Sequence, residues 1–227
     1  MDVITILPLL PPLLLVPAMG ILSSVKSSSA LGCELRRKAL HVGVGLTSLS
    51  FPLILTESWM VLFALSMIGA WMIAVRRVPM LRRRFGAVLH DAKRISHGEL
   101  YFALAIAGLM LATSDRPLLF VVPVLILTIS DAAAAIVGRA LPRCRLTGLA
   151  SGKTASGCAA FLATAFLITL LGLNRYTGLP LTTSLAIAAV VATGTCIVEA
   201  VSHQGRDNLF VPATAFVLLR FMDTSIW

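Results

Sequence analysis

"VVPVLILTISDAAAAIVGRA", Val121 to Ala140, runs ten residues without a charge, meets Asp131, and closes on Gly138 and Arg139. Its length and apolarity predict a membrane-spanning helix, and an ionisable residue inside such a span is a functional-site candidate by default. Asp131 stands six residues before Val137, which places it roughly 9 Å from that end of the helix. Ala134, Ala135 and Gly138 follow on its own face at i+3, i+4 and i+7. Small residues there admit either another helix or a bulky phosphate group close to the backbone. A structural aspartate, hydrogen-bonded between helices, is the competing reading.

The rest of the chain has the same character. Of 227 residues, 58% are hydrophobic and only 13% charged, and the mean hydropathy is +0.93. Soluble domains average about 25% charged residues, so the expected class is an all-α, polytopic membrane protein forming one integral domain over 1–227. Apolar runs predict eight spans: Val3–Leu22, Ala39–Leu55, Trp59–Val75, Leu100–Thr113, Pro117–Val137, Ala155–Leu173, Leu181–Val198 and Leu209–Phe221. The fourth and eighth are short. Lengthening each toward its N-terminal side draws Glu99 and Asn208 to the membrane edge.

The net charge of +9 does not indicate nucleic acid, because the cations sit in short blocks between apolar runs. With eight spans, all of the 19 Lys and Arg residues except Arg116, Arg175 and Arg220 fall on one side. That side is predicted to be cytoplasmic. The N-terminal run has no basic residue before it and carries Asp2, so it is expected to be a retained first helix (1–25), bent at its prolines. Between the third and fourth spans, Leu81, Phe85, Val88 and Leu89 share one helical face opposite basic residues. That predicts an interfacial helix or an ordinary basic loop. The four cysteines form no metal-type pair.

The remaining polar residues cluster on the cytoplasmic side. Glu34, Lys38 and His41 share a face where the second helix begins, with Arg37 beside them; Glu99 opens the fourth. Glu199 lies near the inner end of the seventh, and Asp207 and Asn208 open the eighth. Lys153 belongs to "RLTGLASGKTASGCAAF" (Arg145–Phe161), whose G-K-T resembles a nucleotide-binding loop. A P-loop would need glycine at position 147, which is Thr147. Several carboxylates and an Asn suit Mg²⁺ held together with substrate phosphates, whereas Lys and Arg suit the phosphates. These residue types point to a nucleotide-dependent enzyme acting on a membrane-embedded alcohol or phosphate.

Five blocks resemble one family in order. "ELRRKALHVGVG" (34–45), "HGELYF" (97–102), "SDAAAAIVGR" (130–139), "GKTASGCAAF" (152–161) and "VEAVSHQGRDNLFVP" (198–212) are similar to the motifs of the phytol kinase and dolichol kinase group. The likeness spans 34–212. It implies a membrane kinase using CTP and Mg²⁺ on a lipid alcohol such as phytol, dolichol or another polyprenol. A distant relation to phosphatidate cytidylyltransferases implies cytidylyl transfer as the alternative; a transporter is the non-enzymatic one. On this resemblance Asp131 is a catalytic or metal-binding carboxylate, with Lys38 and His41 catalytic companions from the opening motif. Asp207 or Glu199 supplies further metal ligands. Arg37, Gly138, Arg139, Gly152 and Lys153 bind nucleotide phosphate, and Glu34, Glu99 and Asn208 complete the site. Whether a carboxylate or His41 takes the hydroxyl proton stays open at this point.

Overall fold

The computed structural model describes residues 9–24, 29–89, 97–113, 116–141 and 152–226. Ten helices run through them: α1 (Leu10–Ser24), α2 (Ala30–Ser48), the one-turn α3 (Phe51–Ile54), α4 (Ser58–Arg77) and α5 (Pro79–Leu89). Then come α6 (Gly98–Ala112), α7 (Pro117–Ala140), α8 (Ala155–Tyr176), α9 (Leu181–Val201) and α10 (Asp207–Ile226). There is no strand among the described residues. Four helices, α4, α7, α8 and α9, are long and apolar enough to cross a membrane, consistent with a membrane protein.

Helix starts follow local chemistry. Ser29 caps α2 by accepting from the Gly32 amide at 3.0 Å, and Thr154 caps α8 by accepting from the Gly157 amide at 3.1 Å. These side-chain oxygens satisfy amides that lack an intrahelical partner. Pro117 opens α7, where its missing N–H costs nothing. Helices begin where the two short runs were expected to lengthen: α6 starts at Gly98, one residue before Glu99, and α10 at Asp207, one before Asn208. Neither is among the four helices long and apolar enough to cross a membrane.

The second expected span, Ala39–Leu55, is drawn differently. Its helix begins nine residues earlier, at Ala30, and breaks at Leu49–Ser50 before the short α3. The Ser29 cap sets the early start. Pro52, within the first turn of α3, cannot donate to a carbonyl of the preceding turn. Residues 3–8 of the first expected span lie outside the described residues. In α5, Phe85 is buried edge-on against Trp71 at 5.6 Å, and Arg82, Arg83 and Arg84 are exposed. The side chains of Val88 and Leu89 fall outside the description.

α7 is the axis of the molecule. Over its apolar window 61% is buried, against 28% for α4 and for α8. On one flank Val122 and Ile126 share an apolar core with Phe161 of α8, Val191 of α9 and Val211 of α10. On the other, Phe120, Val124 and Leu127 share an apolar core with Val61 of α4 and Ile106 of α6. Continuous apolar burial holds these layers together. Because α7 is surrounded by protein, a charge on it is met by side chains from several helices.

Candidate functional site

Five residues between Ile126 and Ser130 form a π-turn in α7 immediately before Asp131. Such turns rearrange the backbone ladder and recur at functional sites. Within this one the Leu127 carbonyl accepts a hydrogen bond from His41 Nε2 at 2.9 Å. Thr128, also in the turn, lies so close to α2 that a Cβ at Gly45 would overlap its side chain. Glycine at 45 therefore lets α2 approach, and α2 brings Lys38 and His41 to Asp131. Lys38 Nζ donates to Asp131 Oδ2, and His41 Nε2 lies 3.4 Å from the same oxygen.

Two further carboxylates converge on Asp131. Glu199 comes from the last turn of α9 and Asp207 from the first residue of α10, after a turn with positive φ at Gln204 and Gly205. Oxygens of the three acids lie within 4.8 Å of one another. Lys153 donates to Glu199 and stands 3.7 Å from Asp207. Gly152 before it has φ 93°, a left-handed backbone that favours glycine. The lysines offset much of the repulsion among three partly or fully buried acids. Glu199 Oε2 nevertheless remains buried without a hydrogen-bond partner, a costly arrangement for a charged oxygen. An orphaned oxygen in an all-carboxylate set fits a hard divalent cation.

The electrostatics outside the spans agree. Burial alone would lower the Lys153 ammonium, but Glu199 and Asp207 hold it above its ordinary value. Burial and the nearby Asp131 charge push the Asp207 carboxyl up. Glu34 would rise through burial, yet Arg37, Lys38 and Arg139 hold it below its ordinary value. Its two oxygens meet Arg37 at 2.5 Å and Arg139 at 2.9 Å. Both guanidinium side chains are about two-fifths exposed, at 44% and 40%, above a carboxylate only 5% exposed. They form a cationic rim over an acidic floor.

Gly138 faces α8. A Cβ there would come within 2.8 Å of Thr154 Oγ1, and one at Gly157 within 2.9 Å of the Ala134 carbonyl. Of the two options for the small-residue face of α7, a neighbouring helix is the one realised.

Glu99 and Asn208 sit beside the acid cluster. Arg76 holds Glu99 at 3.0 Å and donates to His97 Nδ1 at 2.5 Å; Asn208 Nδ2 donates to the Gly98 carbonyl at 2.9 Å. With Arg37 and His41 they form the polar mouth of a cavity of about 130 Å³, whose body is apolar.

Asp131, Glu199, Asp207, Lys38, His41 and Lys153 meet in the cluster, Glu34, Arg37 and Arg139 stand at its rim, and Glu99 and Asn208 at the cavity mouth. Gly152 precedes Lys153, whereas Gly138, expected at a phosphate, packs against Thr154 and Gly157 because the α7–α8 crossing leaves no room for a Cβ. Residues 142–151, which include most of the loop before Lys153, are outside the described residues. The π-turn, Gly45, Thr128, Arg76, His97 and the cavity were not anticipated. Gly45 stood inside a quoted motif, but the partner that explains it is distant in sequence. Comparison with protein-family models, curated proteins and solved structures gave no match to this chain.

Proposed function

We propose that the chain is a CTP-dependent kinase that phosphorylates a membrane-embedded lipid alcohol at the cytoplasmic face of an eight-span membrane domain. One observation carries this reading: three carboxylates and two lysines from four helices and a loop meet beside the polar mouth of an apolar cavity. Phosphoryl transfer asks for that combination, because it depends on positioning and charge neutralisation more than on covalent chemistry by the protein. The basic side of the chain is its cytoplasmic side, and α5 lies at headgroup level with its arginines toward lipid phosphates.

In this proposal Asp131, Glu199 and Asp207 hold Mg²⁺, which when bound neutralises the nucleotide phosphates. Arg37 and Arg139 at the rim, with Lys153 below them, bind phosphate oxygens and leave their carboxylate partners to do so. Lys38 pairs with Asp131 and orients it. His41 takes the alcohol proton. Its Nε2–H is committed to the Leu127 carbonyl, so in the neutral ring Nδ1 carries the lone pair. The alcohol oxygen bonds to the γ-phosphorus, the bond to the β-phosphate oxygen breaks, and CDP and a lipid monophosphate result. CTP as donor rests on the family resemblance.

Purified protein in detergent, given each of the four labelled nucleoside triphosphates and a panel of prenols, should transfer label from CTP to one alcohol and release CDP. Release of pyrophosphate with a CDP-lipid would assign cytidylyl transfer instead. Full activity in Asp131→Asn would remove the cluster from the mechanism. A transporter is disfavoured because it would place ionisable groups near the midplane with access from both sides.

A further inference from the structure

The cavity beside His41 has a shape as well as a mouth. On α6 its lining positions are Gly98, Glu99, Phe102, Ala103, Ile106, Ala107 and Met110, a single face repeated over three turns. From Gly98 to Met110 that face extends for about 18 Å at 1.5 Å per residue. A single leaflet is about half of a hydrocarbon core roughly 30 Å thick. The charged end holds Arg37, His41, Glu99 and Asn208; at the opposite end Phe51, Leu55, Val61 and Met110 form an apolar floor. Phe51 and Leu55 are buried, at 9% and 4% exposure. Between the ends, the walls carry small side chains: Ala64 from α4, and Ala103 and Ala107 from α6. α4 and α6 pack directly on each other through Ala64, Phe102 and Ile106, which keeps the slot narrow.

We propose that this slot is a ruler for one hydrocarbon tail. It holds a single-chain alcohol with its hydroxyl at His41, the three alanines setting the bulk tolerated and Phe51, Leu55 and Met110 setting the length. The inference rests on the lipid-alcohol reading above and adds to it a chain class. The favoured tail is about one leaflet long, and a two-tailed lipid finds room for only one of its chains. The occupant follows from continuity: among the described residues, the polar groups lining the slot are at the mouth beside Asp131's partner His41, so a bound molecule needs one polar end and one apolar body. A polyprenol much longer than the slot gains no further contacts in it.

The test is a chain-length profile of label transfer from CTP, using straight-chain alcohols from octanol to eicosanol alongside farnesol and geranylgeraniol. The position of the maximum is read, not its height. Ala107→Phe should move the maximum to shorter chains, with roughly tenfold loss of relative efficiency for eicosanol, the scale of a methylene or two lost from an apolar pocket. Met110→Ala should move it to longer ones. Ala64→Val, a milder filling, serves if Ala107→Phe does not give a folded, monodisperse protein. Leu104→Phe, on the exposed face of α6, is the control and should leave the maximum where it was.

Transfer to alcohols with one unshifted profile in all variants would overturn the ruler and leave the kinase reading standing. Absence of transfer to any alcohol would overturn the kinase reading, and the slot is then decided by binding alone. Tetradecanol, whose extended chain matches the slot, carrying a terminal diazirine should cross-link to α4 and α6 near Val61 and Met110 and be displaced by unlabelled tetradecanol. Labelling spread over the lipid-facing surface, without displacement, would sink the slot as well.

Discussion

Helices α4 and α7 are both long and apolar enough to cross a membrane, yet they carry charge differently. α4 reaches its last turn before any ionisable residue appears, at Arg76 and Arg77, and its apolar window is 28% buried. α7 is 61% buried over its window and holds Asp131 well inside. The difference teaches that an intramembrane charge is tolerated where neighbouring helices replace water. Asp131 has Lys38 as donor and His41 beside it. On the outer face of α4 an acid would meet only acyl chains. α4 instead contributes the apolar wall of the slot, so in the proposed reaction one helix would serve the head of the substrate and the other its tail.

The comparison breaks most sharply at the Lys38–Asp131 pair. Asp131→Asn is expected to lower label transfer roughly a thousandfold, the size seen when a preorganised charge is removed from a reacting centre. Lys38→Met should destabilise the fold by about 3–5 kcal/mol, because it strands a buried carboxylate. The double change Lys38→Met with Asp131→Leu should recover most of that stability and none of the activity. Thermal unfolding in detergent together with transfer assays separates the two effects. A double variant no more stable than Lys38→Met would mean that packing, not charge pairing, is what Lys38 supplies.

The second largest effect concerns the cation. Chelation should abolish transfer reversibly, and Glu199→Gln should raise the Mg²⁺ concentration needed for half-maximal rate on the order of tenfold or more. An unchanged Mg²⁺ requirement would take Glu199 out of the ligand set, leaving its orphaned oxygen unexplained.

Smaller effects contrast two glycines. Gly157→Ala should cost about 1–3 kcal/mol, since the new methyl is pressed toward the Ala134 carbonyl at the α7–α8 crossing. Gly108→Ala, with nothing within 4 Å of the added Cβ, should be neutral or stabilise by about 0.4–1 kcal/mol. Equal effects at the two sites would deny that close helix approach limits residue choice at position 157.

The smallest concerns pH. The folded state depresses the Glu34 carboxyl, so its contribution to stability is present above 4.5, the ordinary glutamate value, and lost as pH falls through the lower folded value. The unfolding midpoint should therefore drop in that acid range, and Glu34→Gln should flatten the drop. An identical acid limb in the variant would assign it to other carboxylates.

Much of this was legible in the letters. Asp131, Glu199 and Lys38 stand out because a charge in an apolar run is expensive, and expensive residues persist only where something meets them. The starts of α6 and α10 were readable because a short apolar run must borrow polar neighbours to lengthen. The face shared by Glu34, Lys38 and His41 placed helix ahead of the apolar run at Ala39, but the full extent of α2 back to the Ser29 cap was not legible, because its first turn carries no apolar periodicity. The π-turn was not readable, since "ILTIS" differs in no obvious way from the helical letters around it. Nor were the pairings: either lysine matched any acid by type, and only packing joined Lys38 to Asp131 and Lys153 to Glu199.

Sequence by itself determined that this chain is helical and apolar, and it marked the few acids, lysines and the amide that stand inside or at the edges of apolar runs, because burial cost acts on residues one at a time. Tertiary structure alone decided that Gly45 meets Thr128, that three carboxylates share one centre, and that a slot opens beside His41. Those are properties of surfaces brought together from helices far apart in the chain, and their fit depends on shape, which residue type does not encode.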